Sequence, residues 1–351
     1  MSKMNPLLYL FMLSTVILGT IIVFLSSHWF FIWLGLEINT LAFLPLLVAS
    51  YNPRSTEAAT KYFLIQALAS ALLLLGGLLH AATINSWDPS SPLTPLPLTL
   101  LLIAIALKMA IPPCHNWLPD VLQGLPLLTG LILSTWQKLA PFYILITIQE
   151  SIPTWLIVTA GFFAALVGGW GGLNQTQIRK LLAFSSIAHI GWTIAIIPFS
   201  PQLATLNLII YFTITSTLFL AFHTLHTLNL ANLSNSTNFA PWLTTLTLIT
   251  TLSLAGLPPL TGFLGKWLII QELALNTNTP AILILVLGNL LSLFYYLRIA
   301  YVISLTLSPQ HTTSTLAWRT SPSSSNFPLA LLIILSTCTL LISPSWLPLT
   351  F

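Results

Sequence analysis

The 351-residue chain is 56% hydrophobic and only 5% charged, with a mean hydropathy of +0.92. A soluble domain carries about a quarter charged residues, so a water-borne globule is excluded and lipid is the expected solvent. The formal net charge of +4 comes without any Lys/Arg run, which argues against nucleic acid as a partner.

Apolar stretches of about 20 residues bounded by Pro, Asn, Ser or charge predict all-α spans. They fall near 4–25, 28–50, 58–82, 96–125, 127–148, 154–173, 178–198, 203–228, 241–275, 280–305 and 328–347, about eleven in total. The first follows a single lysine, Lys3, and is too long for a signal-peptide core, so it is read as a span. An Arg-rich transit peptide is not apparent either, so a mitochondrial location would imply synthesis inside the organelle.

The fourth and ninth stretches exceed one straight span, and each is interrupted by a proline pair, Pro112-Pro113 and Pro258-Pro259. Proline removes a backbone donor and clashes with the preceding turn. Both stretches are therefore expected to be broken helices, their freed backbone groups satisfied by protein or a wet cavity. His115, Asn116 and Pro119 surround the first break, and Gly256, Gly262 and Gly265 the second. The broken spans are fourth in spans one to five and fourth in spans six to ten. An odd number of crossings reverses direction, so the expected domains are a five-helix unit (1–148), an inverted second unit (154–305) and an extra helix (328–347), with sites near the midplane.

Loop charges agree with this count. Lys3, Arg54, Lys61, Arg179, Lys180, Arg298 and Arg319 fall on one side or at its boundary, while Asp88, Glu150 and Glu272 fall on the other. The positive-inside rule puts the N-terminus inside, the C-terminus outside and the Ser/Thr-rich stretch 306–326 in an inside loop.

Four charged residues remain within spans: Glu37, Lys108, Lys138 and Lys266, with Asp120 just past the first break. Each costs about 2.5 to 3.5 kcal/mol at a helix centre, so pairing, hydration or neutralisation must offset it. Lys108 precedes the first break by about a turn, Lys266 follows the second by about two turns, and Lys138 lies on the span next to the first break. Glu37 is the only acidic residue deep in a span and is the natural partner for Lys108. A lysine that exchanges a carboxylate partner for an apolar one suits proton relay. At 4 Å and an effective dielectric near 20, such a pair is worth about 4 kcal/mol, more than the roughly 2.3 kcal/mol needed to move one charge against 100 mV. The competing reading is a static pair that locks helix packing.

His189 is mid-span in the second helix of the second unit and could relay protons or simply pack. His115 lies at the first break, where it could bond freed carbonyls. His223 and His226 lack further ligands, and Cys114 and Cys338 are too few for a zinc site or iron–sulfur cluster. Gly265-Lys266-Trp267 lacks the rest of a phosphate loop, and Gly168, Gly169, Gly171 and Gly172 suit close helix packing better than a nucleotide. The tryptophans, among them Trp29, Trp33, Trp117, Trp155, Trp242 and Trp346, are read as interfacial or core aromatics.

Several motifs together carry a family likeness. They are Met4-Asn5-Pro6, the run Trp33 to Asn39, Lys61-Tyr62-Phe63-Leu64, and Lys108 through Asp120 (KMAIPPCHNWLPD) with Gln123-Gly124. Thr135 through Pro141 and Leu257 through Phe263 with Lys266 complete the set. Across nearly its whole length the chain resembles the NADH dehydrogenase subunit 2 family, the mitochondrially encoded, antiporter-like subunits of respiratory complex I. The resemblance implies two inverted five-helix units and a proton path in the inner mitochondrial membrane, from matrix to intermembrane space. It also implies a chain shortened by about three N-terminal helices relative to bacterial forms.

By the same resemblance Glu37 and Lys108 match the family's ion pair, Lys138 its central lysine and Lys266 the exit-side lysine. The implied enzyme is a proton-translocating NADH:ubiquinone reductase of which this chain is a non-redox subunit. FMN, iron–sulfur clusters, NADH and ubiquinone belong to the complex elsewhere, and this chain carries no cofactor. Implied partners are other membrane-arm and accessory subunits and membrane lipid, with cardiolipin a candidate. The alternatives are a free-standing cation/proton antiporter, against which the lysine-rich midplane argues, and a passive spacer within the complex.

Overall fold

The structure is a computed structural model that describes residues 5–239, 241–304 and 328–337. Lys3, Met4, Arg319, Cys338, Trp346 and the 306–326 stretch lie outside the described residues. Two compact units divide the chain, Met1–Ile157 and Val158–Phe351. The described residues contain six helices long and apolar enough to cross a membrane, with three shorter apolar helices beside them.

The first unit opens with α1 (Pro6–Leu25) and α2 (Trp29–Val48). These cross at Gly19 and Gly35, where a methyl on either glycine would stand 2.8 Å from the other's carbonyl oxygen. α3 (Pro53–Ile84) runs 32 residues, longer than the predicted 58–82. Its start is fixed by Asn52, whose N–H donates to Ser55 Oγ, and by Pro53 in the first turn. α4 (Pro95–Met109) and α5 (Trp117–Gly124) are the two halves of the predicted broken helix.

The predicted continuous span 127–148 is itself interrupted. α6 (Leu127–Ser134) gives way to a single 3-10 turn, Trp136–Lys138, before α7 (Leu139–Thr147). Pro141 explains the interruption: it cannot donate to the Gln137 carbonyl, and its ring crowds that carbonyl. The last turn before the gap keeps its bonds, because both Thr135 N and Thr135 Oγ1 donate to Leu131 O. Loops at the far end of this unit meet where Leu93 N donates to Ser151 Oγ at 3.3 Å, so Asp88 and Glu150 lie at neighbouring loops. Arg54, Glu57, Lys61 and Asp120 gather at the opposite end, with Lys61 Nζ 2.7 Å from Glu57 and 3.7 Å from Asp120.

α8 (Thr154–Gly171) begins at the boundary and leads into the second unit, with α9 (Ile178–Ile196) and α10 (Pro201–Thr224) following. α10 ends before the predicted 228 because His226 takes the left-handed position that terminates it, φ 54°, with Thr227 N donating back to Phe222 O. The polar segment after it, which its composition marks as a loop, forms the short helix α11 (Leu230–Phe239). α12 (Pro241–Ala255) and α13 (Thr261–Leu275) are the halves of the second broken helix, and α14 (Thr279–Ser304) follows. The described part of the last predicted span is α15 (Pro328–Thr337), seated through Leu329 and Ile333 on Ala221 and Leu243.

The glycines of α8 act as packing residues. A methyl on Gly168 would stand 2.5 Å from Ala188 N on α9, and one on Gly169 would stand 2.7 Å from Gly288 O on α14. Small residues let backbones approach where lipid supplies no hydrophobic drive between helices. Arg298, near the end of α14, donates to Gly172 O and Gln175 O at 3.2 Å, tying it to the turn that carries Arg179 and Lys180.

Candidate functional site

Both breaks are built by the same capping device. In α4, Ala110 takes the left-handed conformation, its N–H donates to Leu107 O, and Ile111 N donates to Ala106 O at 2.9 Å. In α12, Gly256 does so with φ 86°, its N–H donates to Ser253 O at 3.0 Å, and Leu257 N donates to Leu252 O at 3.4 Å. This is the Schellman closure, followed in each case by an aliphatic residue and two prolines. The closure leaves the last carbonyls of each half-helix without helical partners.

In the first unit the Trp117 indole N–H donates to Leu107 O at 3.0 Å. His115 is half-buried and sits with Nδ1 3.3 Å from the Pro113 carbonyl within the break, the kind of contact expected of it from sequence; it does not line the cavity beside Lys108. That cavity encloses about 10 Å³, roughly the room of one water. Lys108 and Lys138 both line it, with Asn39, Tyr62, Gln66 and Gln137 as further polar lining. Tyr62 and Gln66 face it together because they are one turn apart on α3, whereas Lys61 turns outward to Glu57.

Lys108 is 5% and Lys138 3% exposed. Gln137 Nε2 donates to Asn39 Oδ1 at 3.0 Å, holding the 3-10 turn that carries Lys138 against α2. The expected Glu37–Lys108 pair is open. No approach within 4 Å joins them, and Lys108 Nζ and Glu37 Oε2 are buried without hydrogen-bond partners among the described residues. Leu36, Asn39 and Thr40 of α2 face the cavity, and Glu37 is not among the residues that line it. Asn39 and Gln137 were not singled out as site residues from sequence, though each is an amide in an otherwise apolar span.

In the second unit Lys266 is 5% exposed and fully bonded. Its Nζ donates to Leu254 O at 3.2 Å, to Ala255 O at 3.1 Å and to Asn289 Oδ1 on α14. The two carbonyls are the ones the closure at Gly256 leaves free, at the negative end of the α12 dipole. Gly262 allows this approach, since a methyl there would overlap the Ser253 carbonyl, whereas one on Gly265 would meet the Asn207 amide oxygen on α10. Asn289, too, escaped the sequence reading.

His189 on α9 is 7% exposed and stacks on Tyr211 of α10, with ring centroids 5.2 Å apart. Tyr295 and Tyr296 of α14 are buried beside one another at 4.5 Å, and on the same helix the Ser292 hydroxyl lies 2.8 Å from Asn289 O and 3.4 Å from Asn289 Oδ1. His223 and His226 lie 6.1 Å apart at the end of α10. Among the described residues no group of three or more His, Cys, Asp or Glu could hold a metal.

The chain is 48% identical over 99% of its length to the NADH-ubiquinone oxidoreductase chain 2 of Tetraodon nigroviridis, covering 99% of that protein. It belongs to the NADH dehydrogenase subunit 2 family. The relative in Xenopus laevis, with the same name, is 49% identical over 97% of this chain and 99% of its own. A family model described as NADH:quinone oxidoreductase/Mrp antiporter, TM, matches residues 26–292, and one described as NADH dehydrogenase subunit 2 C-terminus matches 293–347.

Solved structures agree in fold. A chain of respiratory complex I from Thermus thermophilus with bound aureothin is 27% identical with a TM-score of 0.77, covering 92% of this chain and 77% of that one. A chain of the Mrp complex from Dietzia sp. DQ12-45-1b has a TM-score of 0.84 at 19% identity, covering 97% of this chain and 76% of that chain, a likeness of fold alone. The antiporter-like, all-helical membrane architecture expected from sequence is therefore the family's own.

Proposed function

We propose that this chain is a membrane-arm subunit of the proton-pumping NADH:ubiquinone oxidoreductase of the inner mitochondrial membrane. It moves protons from matrix to intermembrane space without a redox centre of its own. Its N-terminus faces the matrix and its C-terminus the intermembrane space. Its partners are neighbouring subunits of the complex and the surrounding lipid, and electron transfer elsewhere in the complex drives it.

The observation that carries this reading is that Lys108 and Lys138 line one small cavity. Two lysines lining one cavity repel when both are charged, so protonation of one disfavours protonation of the other. Glu37, open to Lys108 as it stands, sets the field: closing the pair favours a charged Lys108 and drives the proton held by Lys138 onward. Lys266, held among carbonyl oxygens, receives protons on the outward side, and His189 serves the second unit as a further relay group. His115, outside the cavity, shapes the break.

The test is Lys138→Met in the assembled complex, reading the proton-to-electron ratio in reconstituted vesicles. Translocation is expected to fall about tenfold or more, as removal of a relay group does. Normal assembly with an unchanged ratio would make the chain a passive spacer and end the proposal.

A further inference from the structure

An ammonium group has three donors and no acceptor, and Lys266 Nζ meets three acceptors: Leu254 O, Ala255 O and Asn289 Oδ1. None of them is a carboxylate. Two are fixed by the backbone at the end of α12, so the third is the only one that side-chain chemistry can change. Because lysine only donates, Asn289 must turn its oxygen rather than its amide nitrogen to Nζ. The Ser292 hydroxyl, one turn further along α14, lies 2.8 Å from Asn289 O and 3.4 Å from Asn289 Oδ1. Gly256 completes the seat, since a methyl there would stand 3.1 Å from both Lys266 Nζ and Cδ.

We infer that Asn289 is a positioning residue that completes an ammonium-specific cradle with the Leu254 and Ala255 carbonyls, holding Lys266 as a proton-loaded station. The inference rests on the proton-transfer reading above. A neutral amine has one donor fewer and would leave one buried acceptor unmatched, so the cradle distinguishes the loaded from the unloaded state. It also distinguishes shape. Three acceptors around one nitrogen fit a compact ammonium and not the planar fork of a guanidinium.

The cradle predicts its own chemical rescue. In the assembled complex, Lys266→Ala removes the tethered cation and leaves a seat that millimolar methylammonium can fill. NADH-driven translocation is read as membrane potential, because amines dissipate a pH gradient. Lys266→Ala should lose translocation, and methylammonium should restore a substantial part of it. The double variant Lys266→Ala/Asn289→Leu should show no restoration. On its own, Asn289→Leu should lower the rate about tenfold, the scale of one hydrogen bond to a charge, and Asn289→Asp, whose carboxylate would pair with the ammonium and retain its proton, should lower it as well. Asn289→Thr, whose oxygen is drawn back from Nζ, serves if Asn289→Leu fails to assemble.

Restoration independent of Asn289, no restoration at all, or parental rates in Asn289→Leu would each overturn the cradle. Parental translocation in Lys266→Ala would instead overturn the relay role of Lys266, so the two failures are distinguishable.

Discussion

Replacing Gly262 by alanine tests whether the packing of the second break and the seating of Lys266 are one and the same feature. The added methyl would overlap the Ser253 carbonyl, a backbone atom at the end of α12 that cannot swing aside. Relaxed non-bonded atoms sit about 3.5 Å apart, so α13 must retreat by about 1 Å or more. Lys266 lies one turn further along the same helix and retreats with it. Its bonds to Leu254 O and Ala255 O, now 3.2 and 3.1 Å, would open to about 4 Å, beyond hydrogen-bond reach. Two hydrogen bonds to a charged group are worth about 3 to 6 kcal/mol together.

Gly265→Ala is the control. Its methyl would meet the Asn207 amide oxygen, the end of a side chain that can rotate. The assay is the amount of assembled complex on native gels together with translocation per electron in vesicles. Gly262→Ala is expected to lose translocation, with partial loss of assembly, whereas Gly265→Ala should assemble and pump close to normally. Equal behaviour of the two variants would refute the claim that α12 end geometry seats Lys266.

Other expected outcomes follow from single contacts. Trp117→Phe keeps the ring but removes the donor to Leu107 O, so the assembled complex should lose about 1 to 3 kcal/mol of stability, read as a lowered melting temperature. His80→Leu should cost a similar amount. The buried Trp29 Nε1 donates to His80 Nδ1 at 3.2 Å, and Ser91 Oγ lies 3.0 Å from Nε2, so the histidine is a doubly bonded structural link and translocation per electron should not change. Gly168→Ala would force α8 from the Ala188 backbone, a cost of about 1 to 3 kcal/mol from overpacking; unchanged thermal stability would contradict the close α8–α9 crossing. Asn39→Leu removes the acceptor for Gln137 and should lower translocation while α2 and the 3-10 turn remain helical by circular dichroism.

The amino-acid sequence by itself determined the solvent, the helical class and the two proline-marked breaks. Those follow from composition and from what one residue does to its own backbone: a chain with 5% charge cannot face water, and a proline pair cannot continue a helix. The four intramembrane charges stood out for the same reason, being costly wherever they point. Their partners did not. Whether Glu37 faces Lys108, whether Lys108 and Lys138 share a cavity, and that Asn289 completes the bonding of Lys266 all depend on which side of each helix meets which neighbour.

The break at Thr135–Lys138 needed only Pro141, a local signal outweighed by the apolar run around it. Asn39, Gln137 and Asn289 had no such signal beyond polarity, because an amide in a span is equally at home bonding its own helix or a distant one. Hydrophobic patterning fixes that a helix is buried in lipid or protein. Only tertiary packing fixes the few ångströms and the rotation that decide which donor meets which acceptor, and a hydrogen bond is lost within about one ångström of misplacement.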